Sequence, residues 1–252
     1  GRWIANEVES QLHANACTKA HSERLMRAIN FGLGYLRVSG MCFSEHADQV
    51  SQWRGYADEA HGFAIGFDPA YLTELGKECS VRSGFPFALQ RVRYDIADYA
   101  ADIANVVGEL ARAIEASGDC WPEPGLSIVA SRPSWEALHT ATNATVVSSS
   151  IALMLLAHSI KNPAFSSEAE WRVISFHHRG SETSIEKTCQ FRSSRDGIIP
   201  YRVIPLGDSA IAPIESVIIG LKNRTSVQDV VSVLKKNGFE NVRTIRSAAS
   251  YR

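Results

Sequence analysis

Segments with strand character lie towards both ends of this chain, and two long helical stretches fill the middle. Strands placed that way do not form a regular βαβ series, in which strand and helix alternate at short intervals. The order predicts an α+β fold, a single domain over residues 1–252 with a mixed or antiparallel, split β-sheet and a helical insertion. Alternating burial marks strands at 35–44, 62–67 and 92–94, and again at 170–176, 188–192, 201–206, 217–220 and 242–245. Helical spacing covers 4–30 within an N-terminal segment 1–34, then 97–117 and 134–161, with shorter helices at 46–56 and 68–76. Asp68-Pro69 opens one of these and Thr225 or Ser226 caps a last helix that ends near Gly238. The Gly- and Pro-rich stretch from Ser117 to Pro133 reads as a loop.

Composition removes several classes. Hydrophobic residues make up 45% and charged residues 21%, too balanced for a disordered or low-complexity chain. Lys and Arg total 26 against 27 Asp and Glu, so no overall field draws nucleic acid or an anionic membrane. The 5 cysteines include no CxxC pair, which argues against a zinc site or a disulfide framework and for a reducing, cytoplasmic setting. The apolar run 151–157 is far short of the ~20 residues a bilayer needs, so no membrane partner is expected. Gly1-Arg2-Trp3 has no initiator Met and no signal-peptide pattern, which points to a missing upstream segment. Phosphate loops, dinucleotide fingerprints, HExxH and GxSxG are all absent from the sequence.

Two segments carry more chemistry than a plain scaffold needs. In the first, Cys42-Phe43-Ser44-Glu45-His46-Ala47-Asp48 leads through Trp53, Arg54 and Tyr56, collecting polar and aromatic groups at one strand end. Its simplest reading is a strand-to-helix turn in which Ser44 caps the helix and Trp53 packs inward. Cys42 reads as a core residue, because no basic partner stands near it in sequence. Gly62 and Gly66 read as tight packing. In the second segment, Glu168-Ala169-Glu170-Trp171-Arg172, an extended backbone puts Glu168, Glu170 and Arg172 on one face. Two carboxylates so placed raise one another's pKa, and Arg172 opposes the shift. A solvated strand edge with a Glu–Arg pair is the simpler alternative.

The phrases "CFSEHADQVSQWRGYADEAHGFAIGFD", "FSSEAEWRVI", "PIESVIIG" and "RSAASYR" resemble the bacterial DUF2971 family over roughly residues 36–252. A second resemblance carries a function. The order of a Phe-Ser strand end, a Gly-containing strand and an E-x-E strand opening is similar to the ADP-ribosyltransferase layout. That resemblance implies NAD as substrate, with Ser44 at the nicotinamide pocket, Glu170 as catalytic carboxylate and Glu168 orienting the acceptor. It further implies that Trp53 or Tyr56 stacks on nicotinamide and that Arg54 or Arg172 holds the pyrophosphate. The acceptor would be an unknown macromolecule, protein or nucleic acid, in a bacterial toxin or phage-defence system. Glu45-His46 stand where the superfamily's Ser-Thr-Ser would continue, and no Arg or His strand precedes the helix at 4–30. Two alternatives stay open: a non-catalytic nucleotide-binding module, and a hydrolase or nuclease that holds a divalent ion with Asp48, Glu168 and Glu170.

Overall fold

The computed structural model describes Ser10, Gln11, Ala14, Glu23, Met26 and Asn30, all helical, and then residues 36–83, 87–95, 97–116, 141–178, 189–194, 197–206 and 210–250. The expected loop at 117–133 and the start of the 134–161 helix lie outside the described residues. The elements mix helices with small sheets, in keeping with an α+β fold. They divide into two compact units, one of residues 1–38, 93–163 and 176–181, the other of 39–92, 164–175 and 182–252.

The second unit holds the segments singled out above. Strand β1 (Leu36–Ser44) leads through a turn into helix α1 (Val50–Tyr56), followed by β2 (Phe63–Phe67). Helix α1 starts at Val50 rather than His46, because Gln49 still has extended backbone and the preceding turn is tied down by other bonds. Helix α2 (Pro69–Ser83) opens where Asp68 Oδ1 accepts from the amides of Ala70 at 2.7 Å and Tyr71 at 3.1 Å. It runs well beyond Gly76, the expected stop. Gly76 is buried against Phe87, and an added Cβ would stand 3.0 Å from the Phe87 carbonyl, so the glycine serves packing rather than termination. Strand β3 (Phe87–Arg91) comes earlier than the expected 92–94 segment.

A 3₁₀ turn (Pro163–Glu168) delivers the chain into β4 (Glu170–His178), which lies between β1 and β3. Strands β3 and β4 are antiparallel, with Gln90 opposite Arg172 and Arg91 opposite Trp171. One face of this sheet is dry. Phe43 and Leu89 pack there against Tyr71, Leu72 and Leu75 of α2, and Phe43 meets Phe67 edge-on at 5.7 Å. Alternation then places Cys42, Gln90, Glu170 and Arg172 on the opposite face.

The remaining strands are a hairpin, β5 (Cys189–Ser194) with β6 (Gly197–Arg202), and a three-stranded sheet of order β2-β7-β8. Strand β6 lies a few residues before the expected 201–206 segment. In the second sheet β7 (Ile214–Ile219) is antiparallel to β2 and parallel to β8 (Arg243–Arg246). The Cβ that Gly66 lacks would stand 2.5 Å from Ser216 Oγ, so this glycine is a packing residue, as read from the sequence. Between β7 and β8 the chain forms an amphipathic helix (Val227–Lys236), capped by the Ser226 hydroxyl on the Asp229 amide.

In the first unit, helices Ala97–Ala116 and Ala141–His158 pack together. The former buries Ile103, Val107 and Leu110 of the stripe Ile103, Val106, Val107, Leu110 and Ile114 that its spacing predicts, together with Tyr99, while Val106 is half-buried. Arg93 donates to Asp102 at 2.8 Å and stacks 4.0 Å from the Tyr99 ring centroid. Among the described residues no helix is long and apolar enough to cross a membrane.

Candidate functional site

The end of β1 and the start of β4 meet. The Ser44 hydroxyl donates to the Glu168 carbonyl at 2.7 Å across 124 residues of sequence, and it accepts from the His46 amide at 3.1 Å. The Glu45 amide donates to the Ala169 carbonyl at 3.0 Å. Ala169 sits at φ 41, a conformation that costs a non-glycine residue about 1 kcal/mol or more. That kink turns the 3₁₀ segment into β4.

Glu168 therefore belongs to the 3₁₀ turn and not to the strand. The expected single face carrying Glu168, Glu170 and Arg172 is corrected: strand alternation links only the last two. Glu170 is 5% exposed, and Arg172 grips its carboxylate with both prongs, Nε to Oε1 at 2.8 Å and Nη2 to Oε2 at 3.1 Å. Burial pulls the guanidinium's pKa down, but the Glu170 contacts outweigh it and raise it above its ordinary value.

Cys42 is not a core residue. It is exposed overall, and its thiol lies beside Glu170 and Arg172. Partial burial and then the Glu170 carboxylate push this thiol up to about 11, with Arg172 pulling the other way. Sequence reasoning missed this approach because β1 and β4 are far apart along the chain. On the same face the Gln90 side-chain oxygen is buried with no hydrogen-bond partner among the described residues.

Beyond the rim, Glu45 accepts from the Trp171 indole at 2.6 Å and pairs with Arg91 at 3.2 Å. The Trp171 bond first, and Arg91 after it, hold the Glu45 carboxyl below its ordinary pKa.

The first motif forms a second node. Asp48 Oδ1 accepts from the Trp53 indole and from the Ser247 hydroxyl, each at 2.6 Å, and Oδ2 accepts from the Ala248 amide at 2.7 Å. Burial pushes the Asp48 carboxyl up, but the bonds from Ser247, Trp53, Ala248 and Ala249 outweigh it and hold it below its ordinary value. Trp53 is 3% exposed and packs on Ala60 and Ile218, whereas Tyr56 is 74% exposed and Arg54 also faces solvent. Asp48 is thus occupied in joining two distant segments. Among the described residues no group of three or more His, Cys, Asp or Glu stands close enough to hold a metal ion.

Part of this site lies within a stretch that matches a sequence-family model. The family model described as "Protein of unknown function (DUF2971)" matches residues 52–173, and over that stretch the resemblance read from the sequence holds. The matched segment includes Trp53, Glu168, Glu170 and Arg172 and stops short of Ser44 and Ser247. No curated protein and no solved structure matches the chain.

Proposed function

We propose that this chain is an ADP-ribosyltransferase-type enzyme that consumes NAD and passes ADP-ribose to a macromolecular acceptor. One observation carries the reading: the strand-end serine and the E-x-E segment are joined by the Ser44–Glu168 hydrogen bond. Those are the two motifs the chemistry needs side by side. Breaking the bond from nicotinamide nitrogen to ribose C1′ leaves the electron pair on nicotinamide and positive charge on the sugar. Glu170, accepting a hydrogen bond from the ribose 2′-OH, stabilises that charge as it grows. The acceptor then bonds to C1′ and loses its proton, with Glu168 orienting it.

Glu170 is held by Arg172 at 2.8 Å. In this reading Arg172 exchanges the carboxylate for the pyrophosphate of NAD, a partner its planar fork fits equally well. With Trp53 in the core, exposed Tyr56 supplies the flat surface for nicotinamide and Arg54 a further cation. The test is nicotinamide release from NAD by the wild-type chain and by Glu170→Gln. The variant should lose roughly 100-fold in rate while still binding NAD.

The closed Glu170–Arg172 pair favours a second reading, a nucleotide-binding regulatory module that performs no chemistry. NAD binding without nicotinamide release, unchanged in Glu170→Gln, would establish that one instead.

A further inference from the structure

A second polar feature of the same unit lies at the turn between α1 and β2. Asp58, Glu59 and Ala60 have φ of 48, 52 and 71, three consecutive non-glycine residues in the left-handed region. Such a run persists only where its surroundings over-determine it, and strain of this kind collects at ligand sites. Here the surroundings are the segment after β7. The Lys222 amide donates to the Ala60 carbonyl at 3.0 Å, and the Gly220 amide donates to Gly62 at 3.1 Å. The Asn223 side-chain amide donates to the His61 carbonyl at 2.6 Å. A Cβ on Gly220 would fall inside the Ala60 carbonyl, so only glycine permits this approach. Arg246 clamps the far side, donating to the carbonyls of Asn223 at 2.9 Å and Thr225 at 2.6 Å.

This braced turn borders an open surface cavity lined by His61, Lys222, Asn223 and Arg224. Every lining residue can donate a hydrogen bond, and two are permanent cations at neutral pH. Arg224 is exposed and makes no ion pair among the described residues. A Glu59 carboxylate oxygen is 4.0 Å from Lys222 Nζ, and both side chains are well exposed. The His61 ring is oriented by its Nδ1 on the Asp58 carbonyl at 2.7 Å, which turns Nε2 outward. Among the described residues no aromatic ring is part of this lining.

We infer that the His61–Lys222–Asn223–Arg224 cavity binds the phosphate groups of a small phosphorylated anion. The Arg–Lys pair suits a phosphate or pyrophosphate group. The inference is independent of what Glu170 does.

The experiment is isothermal titration calorimetry of the full chain at low salt, with inorganic pyrophosphate, ADP and adenosine as probes. The proteins are wild type and the Lys222→Gln/Arg224→Gln double variant. Both replaced side chains are on the surface, so thermal melting should be unchanged in the double variant. Pyrophosphate should bind the wild type, weaken at least about tenfold in the double variant, and adenosine should not bind. ADP as tight as pyrophosphate identifies bare phosphate as the ligand chemistry, and tighter ADP identifies a nucleotide; both uphold the site. No binding of either anion to folded wild type overturns it. So does equal affinity in the double variant.

Discussion

Glu170 and Arg172 form a pair that is hard to break one side at a time. Removing Arg172 leaves a carboxylate that is 5% exposed without its bidentate partner, a loss of about 3–5 kcal/mol in comparable buried pairs. Glu170→Gln keeps the shape and should cost much less. Cys42 reports on the same pair without disturbing the fold. Its thiol, pushed up to about 11, is almost wholly protonated at pH 8, so alkylation should run roughly 100-fold slower than for an ordinary thiol. In Glu170→Gln the negative charge and its hydrogen bond are gone, and Arg172 remains. Alkylation of Cys42 should therefore speed up, and mass spectrometry of the labelled peptide measures it. An unchanged rate would mean that burial alone holds the thiol up.

The turn between β1 and α1 depends on the Asp48 bonds to Trp53, Ser247 and Ala248. Hydrogen bonds to a charged group are worth about 1.5–3 kcal/mol each when formed, so Asp48→Asn should destabilise the chain by about 2 kcal/mol in urea at pH 7. The sign with pH follows from the depressed carboxyl. Its stabilisation is present above the ordinary value of 3.8 and is lost as pH falls through the lower folded value. The gap between wild type and Asp48→Asn should hold from pH 7 to about pH 5 and close in more acidic solution.

The elements also show what a single sequence can and cannot tell. Strands β1, β2, β4, β7 and β8 were legible because each alternates or is continuously apolar between clear breaks. The cap at Ser226 was legible because capping is local. Gly76 reads as a stop for helix α2, when its reason is the Phe87 backbone pressed against it. The face shared by Glu168 and Glu170 was misjudged because one alanine takes a left-handed conformation, which no periodicity announces. Of the site, Glu170 and Arg172 could be paired from an i, i+2 spacing alone. Cys42 and Ser247 could not be placed, since each meets its partners across a large part of the chain.

At the level of the whole chain, the two compact units are both stitched from separated pieces of sequence. Contacts of such long range are costly to close and slow to form. The exposed hairpin β5–β6 adds Phe191 at 67% and Ile198 at 75% exposure, apolar surface that disfavours high solubility at high concentration. Shortening the chain to end at Arg246 removes the Ser247, Ala248 and Ala249 donors to Asp48 and should destabilise it at least as much as Asp48→Asn, again by urea titration. A truncation as stable as the full chain would show that Trp53 alone satisfies the carboxylate.

The bond from Ser247 to Asp48 closes a span of 199 residues. On a ribosome adding about 5–20 residues per second, that carboxylate waits roughly 10–40 s for its partners. Throughout that interval the turn beside Ser44 lacks its final brace. Whatever chemistry the site performs is thereby withheld until Ser247 has been made and has reached Asp48.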